Sequence, residues 1–192
     1  MTNTRKLVYI ALLSAISFVL SYQMFQFPLF PAADFLKVDF TILPILIGLF
    51  MLGLPSAFAI LVIRSILWFL LNSQGVNTWI GLPMNMVAVA VFMLLFWVFL
   101  RNKFSLRNYL LGAILGTLAL TAAMLLLNYI YAIPLYSIFA HFDIKTMFPG
   151  GVSLYMLVVL GFNLLEGAIY SVSFAALYWA LRGSRAVKFI NA

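Results

Sequence analysis

Asn85, Asn128 and Asn163, the charges Arg64 and Glu166, and Tyr170 all stand within stretches that are otherwise strongly apolar. An amide carries both donors and acceptors, so buried asparagines suit a heterocycle that presents both. Asn163, Glu166 and Tyr170 are spaced by three and four residues, which sets them on one helix face. A charge at the middle of a membrane-spanning helix costs roughly 2.5–3.5 kcal/mol, so Arg64 and Glu166 need partners. Two accounts stand open at this level. The charges pair with each other, or Arg64 with Asp39, and serve packing; or Glu166 faces a polar ligand cavity. A single asparagine is explained equally well by an interhelical hydrogen bond. Asn128 falls near the outer end of its apolar stretch, which lets it share an outward cavity with Asn163. Asn85 follows Gly81-Leu-Pro83 and reads either as a cavity residue or as a partner at a helix start.

Composition narrows the chemistry. The chain has 192 residues, 66% of them hydrophobic and 8% charged, against about half and a quarter in soluble domains. That excess marks an integral membrane protein and leaves no room for a separate soluble domain, so residues 1–192 read as a single transmembrane domain. There is no cysteine, one histidine and four carboxylates. Thiolate catalysis, disulfides and multi-histidine metal sites are excluded, and no cofactor or metal is expected. His141 reads as a solvated or loop-bonded residue. No Gly-Lys-Ser or Gly-Lys-Thr phosphate loop occurs, so ATP is not hydrolysed by the usual route. The net charge of +7 reads as cytoplasmic anchoring.

The elements that position these groups are six apolar spans: Leu7–Phe27, Thr41–Leu52, Ser56–Leu71, Trp79–Leu100, Asn108–Ile133 and Val152–Leu181. Phe40–Leu71 is too long for one helix at about 1.5 Å per residue, and Gly53-Leu-Pro55-Ser is a turn signal at its middle. The fold class expected is therefore all-α, with a short second and third span and both termini cytoplasmic. Charge supports that count. Arg5, Lys6, Arg101, Lys103, Arg107, Arg182, Arg185 and Lys188 then fall inside, with only Lys37 and Lys145 outside. Trp68, Trp79, Trp97 and Trp179 come near span ends, as interfacial tryptophans do. The first span is longer than a signal-peptide core and has no clear cleavage site, so it is expected to be retained. Short, interrupted spans line cavities or pack against protein.

Between the first two spans lies Pro28-Leu-Phe-Pro-Ala-Ala-Asp-Phe-Leu-Lys-Val-Asp-Phe-Thr-Ile-Leu-Pro44, with three of the seven prolines and two of the four carboxylates. Proline excludes a regular helix over its start. An apolar, shaped loop at a membrane surface is suited to covering something apolar.

Taken together, the six spans, Ala11-Leu-Leu-Ser-Ala15 and the missing ATPase motif resemble the S-components of energy-coupling factor (ECF) transporters. The segment Phe35-Leu-Lys-Val-Asp-Phe-Thr-Ile-Leu-Pro44 resembles the riboflavin-specific members, and the likeness continues through Gly53-x-Pro55, Arg64, Gly81-x-Pro83-x-Asn85, Asn128 and Asn163. The resemblance implies a bacterial plasma-membrane subunit, not an enzyme, that binds riboflavin in an outward pocket formed by the first loop and the last three spans. It implies that Asn128 and Asn163 hydrogen-bond the flavin ring. The loop around Phe35, Leu36 and Lys37 closes over it, with Leu36 against the ring. It further implies that Ala11 and Ala15, small residues that admit a close helix, meet a transmembrane coupling subunit powered by two separate ATPases. Asn85 and Glu166 complete the candidate site. Glu166 stands where some members carry lysine; an acid there repels phosphate and favours riboflavin over flavin mononucleotide. The competing readings are an S-component for another vitamin or base, a small membrane-embedded enzyme, and a scaffold subunit.

Overall fold

A computed structural model describes residues 3–141, 143, 144 and 148–181. Lys145, Arg182, Arg185 and Lys188 lie outside the described residues. The described chain is helical except for a pair of two-residue strands. Its helices are α1 (Asn3–Val19), α2 (Ile42–Leu52), α3 (Leu54–Leu71), α4 (Val76–Leu100), α5 (Leu106–Leu127), α6 (Ile133–Phe139) and α7 (Gly151–Leu181). A five-residue π-helical turn, Asn128–Ala132, joins α5 to α6, and together they run as one apolar rod, Leu106–Phe139. Four helical stretches are long and apolar enough to cross a membrane: α3, α4, the α5–α6 rod and α7.

At about 1.5 Å per residue, the 11 residues of α2 cover roughly half of a 30 Å hydrocarbon layer. Such a helix persists only inside protein, and α2 does: it packs against α1, α3, α4 and α7, and Ile42, Ile45 and Leu46 are wholly buried. Gly48 permits the crossing, since a Cβ there would meet Ile60 Cδ1. The turn to α3 is made by Gly53 at φ +89° with Pro55 in the first turn of α3. This is the hairpin read from Gly53-Leu-Pro55.

Two boundaries differ from the sequence reading. The first helix ends at Val19 rather than Phe27; Leu20–Phe27 is uncharged but carries Ser21, Gln23 and Gln26 and turns through a 3₁₀ segment, Gln23–Phe25, into the first loop. The fifth span does not stop at Ile133. Proline is tolerated in the first turn of a helix, and Pro134 sits there in α6. Proline cannot donate to the carbonyl four residues back, and the widened turn immediately before it absorbs that defect.

α4, α5 and α7 pack in sequence. α5 lies against both neighbours, with Gly112 and Gly116 facing Phe96 and Phe92 of α4 and Gly167 of α7 facing Thr117. The end of the bundle near Gly53 is filled by aromatic rings: Phe50, Phe96, Phe104, Tyr109, Phe174 and Tyr178 interlock, with Phe104 and Tyr178 stacked at 4.0 Å.

Candidate functional site

The first loop closes the opposite end. Phe27 pairs with Val38 and Pro28 with Lys37 in an antiparallel ribbon, and Pro31–Ala33 forms a 3₁₀ turn at its tip. Proline cannot extend a ladder, which explains why the ribbon is so short. After Lys37 the chain is clamped. Asp39 Oδ1 accepts from the Thr41 backbone N–H at 3.0 Å and from its hydroxyl at 2.6 Å. Ser17 of α1 donates to the Thr41 carbonyl at 2.6 Å. Asp39, Thr41 and Ser17 are all buried. The loop's exit is therefore fixed to α1, while its tip carries the ligand candidates.

Phe35, Leu36 and Lys37 occupy three different settings. Phe35 is 44% exposed; its ring lies nearly parallel to Tyr155 of α7, at 6.5 Å and 22°, and edge-on to Phe148. Leu36 is half-buried and touches both the main core and the smaller apolar cluster around Ala33, Phe148, Tyr155 and Val159. Lys37 is half-buried within the ribbon.

Beneath the loop, α7 presents Tyr155, Val159, Asn163, Glu166 and Tyr170 along its buried face, the three-and-four spacing of one helix side. Asn163 is 1% exposed. Its Nδ2 donates to the Val159 carbonyl at 2.7 Å, and its Oδ1 is buried with no hydrogen-bond partner. Asn128 faces α7 from the start of the π-helical turn, a distortion frequent at functional sites. Its Nδ2 donates to the Met124 carbonyl at 2.8 Å, and its Oδ1 accepts from the Tyr155 hydroxyl at 2.5 Å. One amide is thus held at both ends by protein, and the other keeps an open acceptor.

The buried charges do not use each other for hydrogen bonding. Glu166 Oε1 accepts from the Tyr170 hydroxyl at 2.9 Å. Arg64, wholly buried in α3, donates through Nη2 to Asn85 Oδ1 of α4 at 2.7 Å. Its Nε and Nη1 have no hydrogen-bond partner, and its guanidinium lies 5.7 Å from the Trp68 ring. Asn85 is therefore a cross-helix partner for Arg64. Near it, Pro83 leaves the Trp79 carbonyl without its usual helical donor, and the Tyr131 hydroxyl reaches that oxygen at 3.4 Å.

Ala11 and Ala15 lie exposed on α1, flanking the buried stripe of Ile10, Ser14, Ser17 and Phe18. They are remote in role from the α5–α7 seam. Two surface grooves, of about 270 and 210 Å³, run along α7 and between α3 and α4, and neither includes a candidate site residue. Among the described residues no cluster of histidine, aspartate or glutamate has the makings of a metal site. Tyr155 escaped sequence reasoning. Its only signal was its register, four and eight residues before Val159 and Asn163.

Against this geometry the comparisons with known proteins are consistent among themselves. Residues 5–178 match the family model described as ECF transporter, substrate-specific component. A riboflavin transporter RibU of Streptococcus thermophilus is 54% identical over 182 residues, covering 95% of this chain and 85% of that protein. RibU of Lactococcus lactis subsp. cremoris strain NZ9000 is 43% identical over 206 residues, with all of both chains covered. The riboflavin transporter FmnP of Bacillus subtilis is 29% identical, covering 94% of this chain and 93% of that one. A solved S component of a bacterial ECF transporter superposes with a TM-score of 0.76 at 26% identity, over 94% of this chain and 97% of the other.

Proposed function

Since this chain belongs to the substrate-specific components of ECF transporters, we propose that it captures riboflavin beneath its first loop and delivers it to the rest of an ECF module. It is a multi-pass membrane transport protein and not an enzyme. The observation that carries the substrate is the near-full-length likeness to proteins named riboflavin transporters. The geometry fits that ligand. A flavin ring is flat, with two apolar faces and one edge that carries an imide N–H between two carbonyls. The unpartnered Oδ1 of Asn163 suits such an N–H. Asn128 retains one N–H and one lone pair for the neighbouring atoms. Leu36 and Phe35 cover a face, in the manner of ligand sites with apolar walls and few polar anchors. Lys37 and Asn85 act at the rim, Asn85 through Arg64. Glu166 disfavours a phosphate at the ring's far substituent.

In this reading residues 1–192 form one domain with six crossings, counting α1 and the α2–α3 hairpin. Both termini are cytoplasmic, on the side of Arg5, Lys6, Arg101, Lys103 and Arg107. The exposed Ala11–Ala15 strip supports docking of α1 on a transmembrane coupling subunit, itself driven by two ATPase subunits. The deciding experiment is a titration of the purified protein with riboflavin. Sub-micromolar quenching of flavin fluorescence, with flavin mononucleotide competing poorly, is expected. Absence of binding by either flavin overturns the substrate assignment.

A further inference from the structure

Asn128 and Asn163 belong to different helices, so their use on one ligand edge depends on how firmly α5 is fixed to α7. The seam is pinned at three levels. Near the Gly53 end the Tyr109 hydroxyl of α5 donates to the Ser171 carbonyl of α7. At mid-height Gly167 lets Thr117 pack directly on the α7 backbone. At the loop end the Tyr155 hydroxyl of α7 donates to Asn128 Oδ1. This last pin falls where the π-helical turn has loosened the regular ladder of the rod, so the backbone there gives the least guidance to the amide.

We propose that Tyr155 is a positioning residue for substrate: its hydroxyl holds Asn128 in the orientation and at the height that let it act together with Asn163 on one polar edge. The residue is buried, at 6% exposure. Its ring is wedged between Phe35 and Phe148, so the hydroxyl has little freedom to turn elsewhere. With one lone pair of Asn128 taken by Tyr155 and one N–H by Met124, the amide offers the ligand a single donor and a single acceptor. The seam thereby selects a planar ring edge of alternating acceptors and donors over one lacking that pattern.

The inference rests on the proposed riboflavin site, and the test separates the two. Riboflavin affinity is measured by fluorescence titration for the full-length wild type, Tyr155→Phe, Asn128→Ala and the double variant. A riboflavin analogue methylated at the imide nitrogen serves as the selectivity probe. Tyr155→Phe keeps the ring and its packing and removes only the hydroxyl. It is expected to weaken riboflavin about three- to tenfold and to narrow the preference for riboflavin over the methylated analogue. In the Asn128→Ala background the same change is expected to move the dissociation constant less than twofold, because there is no amide left to hold. A general packing defect would persist in that background. Equal affinity and selectivity for Tyr155→Phe and wild type, tighter binding by Tyr155→Phe, or full additivity in the double variant each overturn the positioning role. A wild type that binds no riboflavin overturns the underlying site instead.

Discussion

Replacing Asn163 by alanine separates a ligand-binding amide from a structural one. The Asn163 Oδ1 is buried and has no hydrogen-bond partner within the protein. An unsatisfied buried polar atom costs about 1–3 kcal/mol, and alanine removes it. Against that stands the loss of a few packed atoms and of one bond to the Val159 carbonyl. The two nearly cancel, so the melting temperature of ligand-free Asn163→Ala is expected to stay close to wild type. Asn163→Leu, which keeps the volume, is expected to match or exceed it. Binding responds differently. If the open acceptor takes a ligand N–H, its removal costs about 1–3 kcal/mol, or roughly 5- to 150-fold in affinity. Asn128→Ala contrasts with this: it strands the buried Tyr155 hydroxyl and so lowers both melting temperature and affinity. Paired fluorescence titrations and ligand-free thermal scans decide the matter. A dissociation constant for Asn163→Ala within twofold of wild type, or a loss of stability as large as that of Asn128→Ala, refutes the reasoning.

Three further outcomes are expected. Asn85→Leu removes the oxygen that accepts from the buried Arg64 guanidinium and should destabilise the protein by about 1.5–3 kcal/mol, read as a lowered thermal midpoint; an unchanged midpoint shows that Arg64 is satisfied otherwise. Gly167→Ala places a Cβ 2.5–2.8 Å from Thr117 side-chain atoms and should cost about 1–3 kcal/mol through overpacking, with partial recovery when Thr117→Ala is added; absence of recovery puts the strain elsewhere. Ala11→Trp combined with Ala15→Trp should leave riboflavin affinity unchanged and abolish uptake in cells, because both residues lie on an exposed face of α1 away from the seam; normal uptake argues against docking there.

The parts of the fold legible in the sequence were those marked by breakers. Gly53 and Pro55 announce the α2–α3 hairpin, and the polar runs at Asn72–Thr78 and Arg101–Arg107 mark the ends of α3 and α4. The end of α1 at Val19 was hidden because Leu20–Phe27 carries no glycine, proline or charge to mark it. Pro134 misled in the other direction, since a proline in a first turn continues a helix as readily as it ends one. Of the site, the asparagines were legible as polar groups in apolar stretches. Their states were not. That Asn128 is held at both ends depends on Tyr155, whose ring is ordinary in a membrane helix until α5 lies against α7, and the open acceptor of Asn163 shows only once its surroundings are packed. Likewise Arg64 finds Asn85 only through the packing of α3 on α4.

If the seam takes the ligand as proposed, the packing around it also favours one route of entry. From Tyr170 toward the Gly53 end, rings follow one another without interruption: Tyr170 meets Phe92, Phe92 stacks on Phe96, and Phe96 meets Phe174 and Tyr109. Buried aromatic packing of this density opens only at the cost of several side-chain contacts at once. The loop end is built otherwise. Its cover is a two-residue ribbon whose loop carries a half-exposed Phe35, with its ring against Tyr155 of α7 and Phe148. Segments with few buried contacts open at the lowest free energy. For the proposed site, the entry this packing favours is therefore the loop end. The clamp of Asp39, Thr41 and Ser17 ties Thr41 to α1, so on the proposed reading the opening falls to Phe35–Lys37.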